Sequence, residues 1–415
     1  MLVKKWRKAR LRFNSRKRST NRIPHGLLQI RPLANIVAIV AIKCIIVSIA
    51  SCKSRLMGVV VLVWVSKRML KISAVIVLAL LFAPVGFASA STPAKLFHWS
   101  NPMQISRHGI RDPAVIRWKH AYYLVYTMWT FSGRNPRWID RPHQGGSPGI
   151  RLYKSTDLKH WKPVGWLVRN SALPRNCPYK DRFWAPHITP YRGKFYLTFT
   201  ADNWLAKKYN PAGTWGTAGW AFIGVANKIT GPYRHITWLK GGTCDLNLLP
   251  TRHKLYAIYP AYNIYEQQID VRHLNHGIVH LVGPRKLIVK AHNPALCRGP
   301  YGKPHYLEGC WPMKIGSHYY CFFAITYSKA YKTGVLYANH PTGPWTIDPR
   351  GAIFWGGHLS VVRGPANRYW FCYRDEKFPR YWGYFCIDPM SFTSSGRIIC
   401  GKPTLGPQSI GPSSH

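Results

Sequence analysis

One hairpin-like stretch recurs five times along this chain, and that recurrence constrains the fold more than any other feature. The clearest copy is EGCWPMKIGSHYYCFFA (308–324). A polar residue opens it; an apolar run, a Gly-Ser turn and an aromatic run follow. Two apolar runs joined by a short glycine-containing turn read as a β-hairpin. The relatives are RDPAVIRWKHAYYLVYT (111–127), WAPHITPYRGKFYLTFT (184–200), CDLNLLPTRHKLYAIYP (244–260) and GHLSVVRGPANRYWFCYR (357–374). Their starts lie roughly 50 to 70 residues apart, a period of repeat architectures.

Further strand-like pieces lie between the copies. GIRLYKSTDLKHWKPVGWLV (149–168) reads as strand, turn, strand. AFIGVANKITGPYRHI (221–236) and TGVLYANHPTGPWTI (333–347) share an apolar strand followed by a Gly-Pro-aromatic turn. Each unit thus supplies four strands, and five such units predict an all-β, five-bladed β-propeller with four-stranded blades. A stacked solenoid is the competing topology. In a propeller the first strand of each blade lines the central channel. The polar starters Asp112, His187, Asp245, Glu308 and His358 are therefore expected to converge on one pocket.

The N-terminal region reads differently. Residues 1–90 carry 17 Lys or Arg and no acid. Lys67, Arg68 and Lys71 precede the apolar run ISAVIVLALLFAPVGF and the small-x-small end Ala88-Ser89-Ala90. That order is a secretory signal peptide at about 67–90, which implies a secreted or periplasmic protein. Translation starting at Met57 or Met69 would make the upstream stretch an over-extended reading frame. If the extension is real, membrane association of the N-terminus is the competing reading. The working domain is then 91–415.

That domain keeps a net charge of 42 − 13 = +29. Its basic residues are scattered through strand and turn patterns, with no concentrated tract or nucleic-acid motif, so no nucleic-acid partner is expected. Eight cysteines lie beyond residue 90. An even number in an exported chain permits disulfides whose pairing the sequence does not fix. No CxxC pair points to zinc.

Only 13 carboxylates exist, and Asp112, Asp245 and Glu308 open three of the five repeats. Converging carboxylates among aromatics suit glycoside cleavage. One acid protonates the leaving oxygen, and a carboxylate activates water or attacks the sugar. A third nearby holds the acid's pKa up by like-charge repulsion.

RDPAVI, STDLKHW, WAPHI with GKFYLTFT, the Gly-Pro-aromatic turns, the Asp245 strand, EGCWPMKIGSHYY and Gly357-His358 together resemble glycoside hydrolase family 43. This is the arabinanase, α-L-arabinofuranosidase and β-xylosidase group. The resemblance covers about residues 100–390. It implies an inverting mechanism on arabinofuranosyl or xylosyl linkages of plant polysaccharides or oligosaccharides. By motif position, Asp112 would be the general base, Glu308 the general acid, and Asp245 the residue that raises the pKa of Glu308 and orients it. Trp184 and His187 would line the substrate pocket. His358 would sit there too, near a structural calcium reached through water, with no cofactor otherwise required. Arg374 would contact the sugar or balance the carboxylates. Family members carry Gly-Pro after the acid where this chain has Gly309-Cys310, a change a disulfide would support. The alternatives are a retaining, fructan-type five-bladed glycosidase and a non-catalytic glycan-binding propeller. Loops such as 129–148 and 202–219 would set pocket depth.

Overall fold

A computed structural model describes residues 96–412 apart from 107–108, 130, 133–134, 139–146, 204–219, 241–243, 299, 329 and 375–382. The signal peptide, the basic extension and most of the two pocket-depth loops lie outside the described residues.

Five four-stranded antiparallel sheets follow one another along the chain. Blade one is built from Gly109–Trp118, Ala121–Trp129, Gly149–Ser155 and Lys162–Arg169. Blade two comprises Asp181–Tyr191, Lys194–Asp202, Trp220–Ala226 and Arg234–Trp238, and blade three Asn247–Pro250, Leu255–Ala261, Asn263–Asp270 and His280–Val289. Blade four comprises Tyr306–Ile315, His318–Tyr327, Ala330–Ala338 and Thr346–Trp355. Blade five comprises Ser360–Arg363, Tyr369–Arg374, Phe385–Phe392 and Ile398–Cys400. The expected five-bladed propeller is the observed fold.

The aromatic second strands explain why the blades stack. In blade two this strand is buried at every position after Lys194, with Phe195, Leu197, Phe199 and Ala201 on one face and Tyr196, Thr198, Thr200 and Asp202 on the other. Its aromatics reach across blade boundaries. Trp118 meets Phe195 edge-on at 5.0 Å, and Phe322 meets Phe371 at 5.7 Å. Each such pair adds about 0.5–1.5 kcal/mol beyond burial. The two Gly-Pro-aromatic turns are also structurally equivalent. Gly231 and Gly343 have φ of 79° and 78° and donate to Lys228 and His340 carbonyls, each at 2.9 Å. Such φ values are readily adopted only by glycine.

The chain ends help close the ring. Phe97–Asn101 pairs antiparallel with Gly406–Ile410, and Asn101 exchanges side-chain hydrogen bonds with the Ile387 backbone of blade five at 2.8 and 3.0 Å. Ser360 of blade five accepts from the Val115 amide of blade one at 3.0 Å.

Candidate active site

Each long inner strand carries an extra residue relative to its partner near the channel, and the blade-two strand carries a second one between Asp181 and Trp184. In blade one, Arg111 pairs with Thr127 and Ala114 with Val125. In blade two, Trp184 pairs with Thr200 and His187 with Thr198; in blade four, Glu308 pairs with Ala324 and Trp311 with Phe322. The extra residue forms a β-bulge, a device that bends the strand and re-aims side chains. Its left-handed member is Asp112 (φ 52°), Ala185 (43°) or Gly309 (57°). Asp245 (54°) and His358 (50°) take the same conformation just ahead of the short inner strands of blades three and five. In a flat strand, neighbouring residues point to opposite faces. Here Arg111 and Asp112, although adjacent, line the same pocket.

That pocket encloses about 170 Å³ and is lined by Arg111, Asp112, Thr127, Trp184, Asp245, Tyr306, Glu308 and His358. The structure therefore brings together all three sequence-predicted carboxylates with Trp184 and His358. Arg374, the last residue of its strand, is buried, and its charge acts on Asp112.

His187 is the exception, and the expected convergence of five equivalent starters needs correction. The bulge places His187 two residues beyond the position of Asp112, in register with Ala114 and Trp311. It is buried edge-on against Trp311 at 4.7 Å, with Nδ1 at 3.1 Å from Thr189 Oγ1. It lines a separate, mostly apolar cavity of about 370 Å³ formed by later parts of the inner strands. Burial alone pushes its pKa down to about 3, so it is neutral. Glu308 is also offset, by one residue. It shares its register with Arg111 and Trp184, and Gly309 occupies the position matching Asp112.

The acids differ in environment. Asp112 accepts from Thr127 Oγ1 at 2.6 Å and faces His358 Nδ1 at 3.1 Å. Burial pushes its pKa up, but His358, Arg111, the Thr127 hydrogen bond and Arg374 together bring it below the ordinary value. Thr127 Oγ1 also accepts from the Ala185 amide at 2.7 Å, which ties blade one to blade two at the carboxylate. Asp245 lies 3.9 Å from His358 Nδ1 and accepts from the Gly309 amide at 3.3 Å. Burial raises it most, Glu308 and Asp112 raise it further, and His358 opposes them. The result is a pKa pushed up to about 7. Glu308 Oε1 accepts from the Tyr331 hydroxyl at 2.7 Å.

Arg111, Thr127, Tyr306 and Tyr331 were not singled out from sequence. Arg111 had a usable signal, since it occupies the same repeat position as Trp184 and Glu308. Thr127 and Tyr331 lie on second and third strands, where a rule about blade starters does not look.

Cys310 follows the bulge glycine and packs beside Cys321. All eight cysteines beyond residue 90 are free, so burial rather than a disulfide supports Cys310. The calcium expected near His358 is one reached through water. Among the described residues no cluster of three His, Cys, Asp or Glu is arranged to hold a metal directly, and His358 turns Nδ1 to Asp112.

Two buried acids with opposed pKa shifts and a third, hydrogen-bonded carboxylate thus share one pocket of the propeller. The sequence profile of glycosyl hydrolases family 43 matches residues 100–398. The chain belongs to that family. It is a glycosidase, and the profile spans all five blades. The fold is shared with a thermostable family-43 glycoside hydrolase, at 22% identity and a TM-score of 0.58, covering 76% of this chain and 100% of that one. A xylan β-1,4-xylosidase from Bacillus halodurans C-125 aligns at 19% identity and a TM-score of 0.55, covering 76% of this chain and 60% of the other. An endo-arabinase from Bacteroides thetaiotaomicron VPI-5482 aligns at 18% identity and 0.51, covering 71% and 98%.

Proposed function

We propose that this family-43 glycosidase hydrolyses arabinofuranosyl or xylosyl linkages of plant polysaccharides or oligosaccharides by single displacement with inversion. The observation that carries the reading is the asymmetry of the pocket. Asp112 is held ionised by His358, Arg111, Thr127 and Arg374, as a base must be, whereas burial and its carboxylate neighbours make Asp245 retain a proton near neutrality.

In this scheme Asp112 removes a proton from a water whose oxygen attacks the anomeric carbon. The glycosidic C–O bond breaks as Glu308 transfers its proton to the leaving oxygen. Asp112 ends protonated and Glu308 ionised, and exchange with solvent restores both. Asp245 holds the Gly309 amide, which fixes the backbone of the acid. Trp184 supplies an apolar face for the sugar. The small described pocket suits one sugar unit. The likeness to a xylan β-1,4-xylosidase and an endo-arabinase supports a pentose substrate. The signal-peptide pattern at 67–90 supports export, and N-terminal sequencing of the natural product tests it.

The test of mechanism is the anomeric configuration of the first product, read by NMR with aryl α-L-arabinofuranosides and β-D-xylosides. An inverted pentose is expected. A retained product, or release of fructose alone from fructans, would replace the reading with a retaining one. Glycan binding without hydrolysis, unaltered in Asp112→Asn and Glu308→Gln, would make the pocket a lectin site.

A further inference from the structure

The side chain that grips Glu308 comes from the third strand of blade four. Tyr331 donates its hydroxyl to Glu308 Oε1 at 2.7 Å, and the segment leading from blade four into blade five holds the tyrosine in place. The Gly356 amide donates to the Tyr331 carbonyl at 3.1 Å, and Thr333 Oγ1 donates to the Gly356 carbonyl. Gly357 lies directly on the ring, where a Cβ would come within 2.7 Å of Tyr331 Cε1. The counterpart contact runs the other way, for a Cβ on Gly309 would come within 2.6 Å of His358 Cγ. Blades four and five therefore interlock through two glycines, one seating Tyr331 and the other His358.

Burial, Glu308 and Asp112 push the Tyr331 phenol well above its ordinary range. It is therefore a hydrogen-bond donor at any working pH. The other titratable or charged groups around Glu308 are Asp112 and Arg111 on blade one, Cys244 and Asp245 of blade three, Tyr306 on its own strand, and His358 of blade five.

We infer that Tyr331 is a positioning residue that assigns the two oxygens of Glu308, committing Oε1 as an acceptor and leaving Oε2 to carry the proton delivered to the leaving group. The inference rests on the reading of Glu308 as the general acid. Removing this donor leaves the acid less well aimed.

The experiment compares full pH profiles of kcat and KM for the wild type, Tyr331→Phe and Glu308→Gln. It uses two aryl glycosides, one with a good leaving group and one with a poor leaving group, and measures thermal stability alongside. For the poor leaving group Tyr331→Phe should lower kcat roughly tenfold with KM unchanged, and for the good leaving group much less. If both substrates lose equally, or only the melting temperature falls, Tyr331 is merely structural and the inference is overturned. Glu308→Gln separates the two levels. If its loss does not depend on the leaving group, the acid assignment itself fails and takes the inference with it.

Discussion

Two histidines from matching repeats, His187 and His358, end in opposite circumstances. His358 lies at a left-handed position just ahead of its strand and places Nδ1 3.1 Å from Asp112 and 3.9 Å from Asp245. His187 lies two residues further into its strand, neutral and packed on Trp311. One lines the carboxylate pocket and the other an apolar cavity built from the same five strands. The carboxylate pocket thus gathers residues at or beside the left-handed positions of the inner strands. A shift of two residues along a strand turns a site residue into a core residue.

The sharpest way to break this contrast is to disable the bulge acids and the distant histidine in parallel. Asp112→Asn and Glu308→Gln should each cut kcat/KM by on the order of 10²–10⁴-fold on substrates with poor leaving groups, whereas His187→Asn should leave kcat/KM near wild type. Steady-state kinetics with matched melting curves checks both. A large kinetic loss in His187→Asn would erase the distinction.

Next in size is the bulge itself. Gly309 has φ 57°, and a Cβ there would meet the His358 ring at 2.6 Å. Gly309→Ala should cost roughly 1–2 kcal/mol in backbone conformation and lower activity on the order of 10- to 100-fold by displacing His358 and the Glu308 backbone. Denaturant unfolding and kinetics read the two effects separately. Unchanged activity would mean that the interlock does not position the acids.

Stability against pH separates the two ends of the channel as well, and they should give opposite slopes. Asp245 has an ordinary pKa of about 4 when unfolded and about 7 when folded. Between these values the unfolded chain loses the proton first, so this residue's contribution to stability declines as pH rises from about 4 to about 7. For His187 the folded value is about 3 against about 6.5 unfolded. The unfolded chain takes up the proton first, so stability is lost as pH falls below about 6.5. Melting curves of wild type against Asp245→Asn and His187→Asn, from pH 4 to 8, isolate each slope. Parallel curves for a variant and the wild type would remove the corresponding shift.

The architecture was legible because hairpins with aromatic second strands must repeat to bury both faces, and the repeat is written in residue types. Asp112, Asp245 and Glu308 stood out because acids are scarce in so basic a chain. What the sequence concealed was the bulge. An extra residue costs nothing in composition or hydrophobic pattern, so counting from the repeat start misplaced His187 and made Glu308 look equivalent to Asp112. Only Gly309, beside the acid, hinted at a left-handed position, and non-glycine residues fill it in the other four blades. Tyr331 was hidden for a different reason. It reaches Glu308 from a strand whose pattern reads as ordinary core, and only the stacking of blades four and five brings it there.

The central claim is that Glu308 donates a proton to the leaving group while Asp112 activates water, and leaving-group dependence in the two variants tests it most directly. Glu308→Gln should retain near wild-type rates on a dinitrophenyl pentoside, whose leaving group needs no proton, and fail on an alkyl pentoside or oligosaccharide. Asp112→Asn should fail on both. Equal losses on both substrates in Glu308→Gln, or rescue of Asp112→Asn by the good leaving group, would contradict the account.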